Sequence, residues 1–404
     1  MSRQRMPLGD ALEVLIDHRG KTPKKLGGDW TSSGHRVISA LNIKGSRIDE
    51  NDHHYISEKM FGRWMKVPLL KDDVLLTSEA PTGEVAFIDS DRDWALGQRL
   101  FGLRGKPGLL DGRYLYYALR GGELRHDLMS RTTGTTVQGI RQSELVKVEI
   151  DLPPVEEQRE VAATLGALDE KIDSNRRAIS LISDLVAARF GSVIDQRQVA
   201  SQSLGELTEL VRGRSYTSAE LSESDVALVT LKSINRNGGY KSDGLKPYTG
   251  VYKPRQVITP GEIVVAQTDL TQGAEVVGRG VRVPNSSVAK VLVASLDLVI
   301  VRPLDEMPIE YLFGLLTTES FREHCRSRVT GTTVLHLAKD AIPSWPAPVV
   351  DHAEQLKFSD WARDLFKRMD ALSAESDRLL ATRDALIPGL LSGAIRVSEA
   401  EVVS

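Results

Sequence analysis

Apolar positions along this 404-residue chain keep two different periods. Short apolar runs at 37–43, 74–77 and 263–266, punctuated by Gly and Pro clusters at 27–28, 105–108, 237–239 and 272–280, predict strands and turns. Spacing near 3.6 over 112–129 and 309–326 predicts a helix after the strands of each half, so both halves read as mixed α+β. After Pro153-Pro154 the period changes. Val161, Leu165, Leu168, Ile172, Ile179, Ile182 and Val186 recur at alternating steps of three and four, a heptad seam. A second seam follows in Phe358, Leu365, Leu372, Leu379 and Leu386, with Trp361 in the companion position. Asn175 falls in the first seam, and Arg368 and Glu375 in the second, where polar residues lower stability and fix register. Two helices of about 38 residues, each about 57 Å long, are expected to pair antiparallel and act as a ruler between two globular blocks.

The chain also repeats itself. Thr133-Gly134-Thr135-Thr136-Val137 returns as Thr330-Gly331-Thr332-Thr333-Val334, a shift of 197 residues. The same shift carries Tyr114-Leu115 onto Tyr311-Leu312 and Glu157-Gln158 onto Glu354-Gln355. With small gaps, Leu8-Gly9-Asp10 aligns with Leu204-Gly205-Glu206, Arg19-Gly20-Lys21 with Arg212-Gly213-Arg214, and Asp73–Leu76 with Glu262–Val265. The expected organisation is two diverged copies, each a globular block followed by an acidic helical tail: 1–150, 151–200, 201–348 and 349–404.

Charge sharpens this division. The 52 Lys+Arg and 55 Asp+Glu give −3 overall, but 1–150 carries 23 basic and 20 acidic residues, whereas 151–199 carries 6 and 9 and 349–404 carries 7 and 10. The net charge alone therefore argues neither for nor against nucleic acid. The N-terminal segment has no apolar signal core and no run of eighteen apolar residues occurs, so a cytoplasmic protein is expected. One cysteine, Cys325, excludes an internal disulfide and cysteine-rich zinc.

Familiar catalytic patterns fail on inspection. Gly20-Lys21-Thr22 has Leu15 where a phosphate-binding loop needs its first glycine, and Pro23 follows where the helix should begin. Asp169-Glu170-Lys171 lies on the heptad helix, where alternating charge is a solvated face. No glycine-rich turn suits S-adenosylmethionine, His53-His54 as neighbours would point in divergent directions on a strand, and His324-Cys325 lacks an orienting carboxylate. Hydrogen-bonding loops remain, in corresponding places. Arg19, Lys21, Thr22, Lys24 and Lys25 open the first copy, and Arg212, Arg214, Ser215 and Tyr216 the second; such side chains suit phosphates and guanine edges. Ser78, Glu79 and Thr82, and likewise Gln267, Thr268 and Thr271, follow matching strands, and Gln and Glu suit adenine or cytosine edges. Arg99 and the threonines Thr133, Thr135, Thr136, Thr330, Thr332 and Thr333 complete the candidate DNA-binding set.

Leu152-Pro-Pro-Val-Glu-Glu-Gln158, followed by Ala167-Leu-Asp-Glu-Lys-Ile172, resembles the opening of the central conserved helix of type I restriction-modification specificity subunits. Leu386-Ile-Pro-Gly-Leu-Leu-Ser-Gly-Ala-Ile-Arg-Val397 resembles that family's C-terminal signature. Val349-Val-Asp-His-Ala-Glu-Gln355 departs from it by lacking the double proline. The resemblance implies two duplicated target-recognition domains separated by two long antiparallel coiled-coil helices with pseudo-twofold symmetry. It further implies a non-catalytic subunit that reads a split double-stranded DNA target. The expected partners are two methyltransferase subunits, which bind S-adenosylmethionine, and restriction subunits with translocase activity. This chain itself would hold no cofactor and no metal. Two rival readings are a coiled-coil scaffold without a DNA role and a duplicated enzyme with its active site between the blocks.

Overall fold

The computed structural model describes residues 3–50, 54–134, 137–195, 199–236, 238–270, 273–332 and 334–397. The chain forms two compact units, Met1–Glu170 with Ala381–Ser404, and Lys171–Leu380. Both boundaries fall inside long helices, Val155–Asp195 and His352–Ser392. Each unit therefore holds one α+β block, the N-terminal part of one long helix and the C-terminal part of the other.

The first block is built on a four-stranded antiparallel sheet ordered Leu12–Asp17, Leu100–Gly105, Val74–Thr77, Val85–Phe87. Its central strand Val74–Thr77 is covered on both faces, which is why 74–76 reads as an unbroken apolar run. Val74 and Leu76 enter a core with Leu115, Leu165 and Leu390, while Leu75 enters another with Ile16, Ile38 and Trp64. The second block repeats the arrangement with Thr208–Arg212, Leu298–Pro303, Ile263–Ala266 and Gly280–Arg282. There Ile263 and Val265 face one core and Val264 and Ala266 the other, the two-residue alternation of a strand. A parallel pair recurs as well, His35–Ile38 with Ala95–Leu96 and Val226–Val229 with Val291–Ala294. The expected run 37–43 is only partly strand: Ser39 caps a short 3-10 turn at Ala40–Asn42, its hydroxyl accepting the Leu41 N–H.

The repeat extends to single hydrogen bonds. Leu8 N–H donates to Val148 O and Gly9 N–H to Val146 O; Leu204 and Gly205 donate to Trp345 O and Pro343 O, the same acceptors shifted by 197. Tyr114 Oη donates to Asp151 O at 3.2 Å and Tyr311 Oη to Pro348 O at 2.9 Å. Each block is closed by a two-stranded ribbon, Gln4–Pro7 with Glu149–Leu152 and Ala200–Ser203 with Pro346–Val349.

Both expected block helices are broken in two. Gly112–Ala118 is separated from Gly122–Ser130 by extended Gly121 and by Gly122 at φ 69°, a left-handed conformation costly for other residues. Ile309–Leu316 is separated from Glu319–Arg326 by Thr318, whose hydroxyl caps the second helix at Phe321 N–H. Periodicity ran through both breaks because each pair of helices packs on one core.

Within each unit the long helices run antiparallel. In the first, Asp169 bonds Arg383 at 2.6 Å and Ile387, Leu390 and Leu391 pack with Val161 and Leu165. In the second, Asn175 Nδ2 donates to Glu375 Oε2 at 2.9 Å, and Phe190 meets Phe358 with ring centroids 5.2 Å apart. Asn175 is buried in its seam as expected. The distal seam needs correction. Arg368 is exposed and Trp361 is 37% exposed, while Ala362, Phe366 and Ser376 are buried. The buried line advances by about 3.6 residues per turn rather than a strict 3.5, so the seven-residue ladder drifts off the contact face.

Gln158, from the repeated Glu-Gln pair, is fully buried. Its amide donates to Leu109 O and Pro153 O and its oxygen accepts from Asp111 N–H, tying the helix start to the block. Gln355 makes only the donation to Val350 O, and its Oε1 has no partner. Gln158→Ala should therefore destabilise by about 2–3 kcal/mol and Gln355→Ala by about 1 kcal/mol, read as the difference in urea unfolding midpoints. Equal losses would show that the asymmetry carries no energy.

Candidate nucleic-acid interface

Strand register corrects the alignment of the two basic openings. Phe101 faces Asp17 and Val299 faces Arg212, so Arg19 corresponds to Arg214 and not to Arg212. Part of the discrepancy is a β-bulge in the first copy: Val14 faces Arg104 and Leu12 faces Gly105, leaving Glu13 as an extra residue.

The first opening is largely committed to its own chain. Arg19 bonds Asp17 through Nε and Nη2, donates to Ile140 O, and stacks over Phe101 at 4.3 Å. Lys21 donates to Trp64 O and its pKa is lowered, first by burial and then by Lys66. Neighbouring His18 is lowered to about 4 by burial and by Lys21, so it is neutral near neutral pH. Thr22 accepts the Lys25 N–H, and Lys25 Nζ donates to Gly20 O. Lys24 is exposed on a 3-10 turn, with no side-chain partner among the described residues. In the second copy Arg212, Arg214 and Ser215 are exposed, while Tyr216 Oη accepts from Lys246 at 2.9 Å.

The strand-end and threonine segments meet. In the first unit Glu79 bridges Gly139 and Thr133 bridges the same Gly139, forming a small ladder. Ser78 N–H donates to Arg99 O, Ile140 N–H to Ser78 O, and Thr82 Oγ1 to Gln138 O. Arg99 Nε lies 3.4 Å from Glu79 Oε1 with both side chains about half exposed. Thus Glu79, Thr82, Arg99 and Thr133 form one surface, which Arg19 joins through Ile140 O; Ser78, expected among the DNA contacts, is instead buried beneath it and serves through its backbone.

The second unit repeats this ladder as a three-stranded sheet. Thr268 faces His336 and Thr330 faces the same His336, the position of Gly139 shifted by 197. Gln267 N–H donates to Asp297 O and Leu337 N–H to Gln267 O, as Ser78 and Ile140 do in the first copy. Thr268 Oγ1 donates to Asp297 Oδ1 at 2.9 Å. Thr332 is exposed beside it. Thr135, Thr136, Thr271, Thr333 and His53 lie outside the described residues.

The loop after the third sheet strand differs between copies. It spans 78–83 in the first and 267–278 in the second, matched at Gly83 and Gly278, which share a left-handed φ. Arg322 Nη2 and Arg279 Nε donate to Glu275 O and Arg326 Nε to Ala274 O, bracing the longer loop. Burial and the neighbouring Arg322 and Arg326 lower Arg279 to about 10. Below it, Gly278 leaves no room for a side chain, because a Cβ there would stand 2.6 Å from that of Cys325. The Cys325 thiol is buried and pushed up to about 12.

Sequence reasoning missed Asp297, His336 and Gly139. None belongs to a recurring motif, and only strand register reveals that they share positions. Among the described residues no group of three His, Cys, Asp or Glu gathers as a metal site, and no helix is long and apolar enough to cross a membrane.

Comparison with known proteins agrees with this geometry. The family described as type I restriction modification DNA specificity domain matches residues 4–183. The type I restriction enzyme MjaVIII specificity subunit of Methanocaldococcus jannaschii is 19% identical over 351 residues, covering 81% of this chain and 80% of that protein. The putative type I restriction enzyme MjaX specificity subunit of the same organism is 25% identical over 212 residues, about half of each chain. Among solved structures, the S subunit of a type I restriction-modification system from M. genitalium superposes with a TM-score of 0.54 at 17% identity, over 96% of each chain, which establishes the shared fold.

Proposed function

We propose that this chain is a member of the type I restriction-modification DNA specificity family, whose model matches residues 4–183, and that it is the non-catalytic subunit that reads a split double-stranded DNA target. Each block reads one half, and the paired helices set the gap between halves. Methylation is carried out by two partner methyltransferase subunits holding S-adenosylmethionine, and cleavage by restriction subunits; this chain supplies the address, in the cytoplasm.

The observation that carries this reading is the duplicated ladder. One backbone frame, repeated to the hydrogen bond, presents different polar side chains in its two copies, as two different half-sites require. Phosphate contacts position such a frame and base contacts specify, and the exposed Lys24, Arg212 and Arg214 suit the first of these tasks.

The purified chain with S-adenosylmethionine should transfer no methyl groups to DNA. Adding the methyltransferase subunits should give methylation at one bipartite sequence. Methyl transfer by the isolated chain, or methylation by the complex without sequence preference, would overturn the reading. Lys24→Ala should weaken binding to every DNA sequence alike and lower the salt slope by about one unit. A selective loss at one sequence would place Lys24 on a base instead.

A further inference from the structure

Three positions at the ladder carry different chemistry in the two copies. Strand register places Arg99 and Asp297 together, just before matching strands; Glu79 corresponds to Thr268 and Gly139 to His336. At two other equivalent places the copies keep their chemistry. Asp73 pairs with Arg104 as Glu262 pairs with Arg302, and Tyr114 and Tyr311 cap the same carbonyl. At the ladder a Glu–Arg ion pair becomes a Thr–Asp hydrogen bond. Both members change together, and the outer one changes sign.

Resting on the DNA-reading function above, we propose that these coupled pairs are the specificity-determining contacts. Arg99, steadied by Glu79, reads a guanine edge, and Asp297, steadied by Thr268, reads the amino group of a cytosine or adenine. Three features support the assignment. The carbonyls of both outer residues are used by the frame, since Arg99 O and Asp297 O accept from Ser78 and Gln267 N–H, which fixes the backbone from which each side chain projects. Glu79 occupies Arg99 Nε and leaves the two terminal nitrogens without partners among the described residues, the fork that fits guanine O6 and N7. Thr268 likewise occupies Asp297 Oδ1 and leaves the other oxygen to accept from a base amino group. Arg99 also sits at φ 62°, a conformation uncommon outside glycine and more frequent at functional positions.

The test uses the complete methyltransferase complex and maps the methylated sequence. Arg99→Gln should exchange guanine for adenine at one base of one half, a change in preference of about 5- to 150-fold, and leave the other half as it was. Asp297→Asn should alter a single base in the opposite half. Binding to unrelated DNA and its salt slope should stay at wild-type values for both. An unaltered sequence from a variant with the wild-type melting temperature overturns the assignment. Should Arg99→Gln fail to fold, Asp297→Asn decides alone by the same criterion. A wild-type complex without sequence preference would instead sink the DNA-reading function itself, so the two failures are distinguishable.

Discussion

Exchange of residues 200–349 for the corresponding block of a related subunit is expected to replace one half of the methylated sequence and leave the other half intact. The cut points follow from the structure. Ala200 pairs with Val349 at the last rung of the closing ribbon, so moving both strands together keeps the ribbon matched. The incoming block brings its own ladder, equivalent to Thr268–His336–Thr330, while Glu79–Gly139–Thr133 stays native. Methylome sequencing of cells carrying the chimera reads the result directly. If both halves changed together, the blocks would not read independently.

Arg383→Ala is expected to cost about 3–5 kcal/mol of unfolding free energy, toward the lower end because Asp169 is not fully buried. Asp169 receives Arg383 at 2.6 Å, Tyr117 Oη at 2.7 Å and Arg120 at 3.2 Å, so removing the first cation leaves a mostly buried carboxylate short of a partner. Burial raises the Asp169 pKa, but the bonds from Arg383 and Tyr117 outweigh it and hold the group below the ordinary carboxylate range. Its contribution is therefore fully present above that ordinary value and fades as pH falls through the lower folded value. Urea unfolding should show a large loss near neutral pH and a smaller one in acid. A pH-independent loss would point to packing alone.

Much of this architecture is legible in the sequence because exact repetition survives where geometry is most demanding. Tyr114 and Tyr311 must reach one carbonyl, and Thr133-Gly134 and Thr330-Gly331 must turn beside one ladder, Gly134 and Gly331 both at positive φ. Central strands are equally plain, since 74–76 and 263–266 are apolar on both faces. Other features escaped for physical reasons. The bulge at Glu13 shifts register without leaving a motif, and helix breaks at Gly121-Gly122 and Thr318 interrupt hydrogen bonding but not apolar spacing. Arg19 reads as a free cation until Asp17 is seen to hold it. Asp297 and His336 are ordinary polar residues in sequence, placed only by strands that are distant along the chain.

Cys325 has a practical consequence. Thiolate is the form that alkylating and oxidising reagents attack, and a buried thiol pushed up to about 12 is almost entirely protonated near neutral pH. As the sole cysteine, it leaves the natural chain chemically silent toward maleimides and nitroxide labels. A single cysteine placed at an exposed position, such as Thr133 or Thr330, would then be the one addressable atom in the molecule, ready to carry a fluorophore without first rebuilding the core.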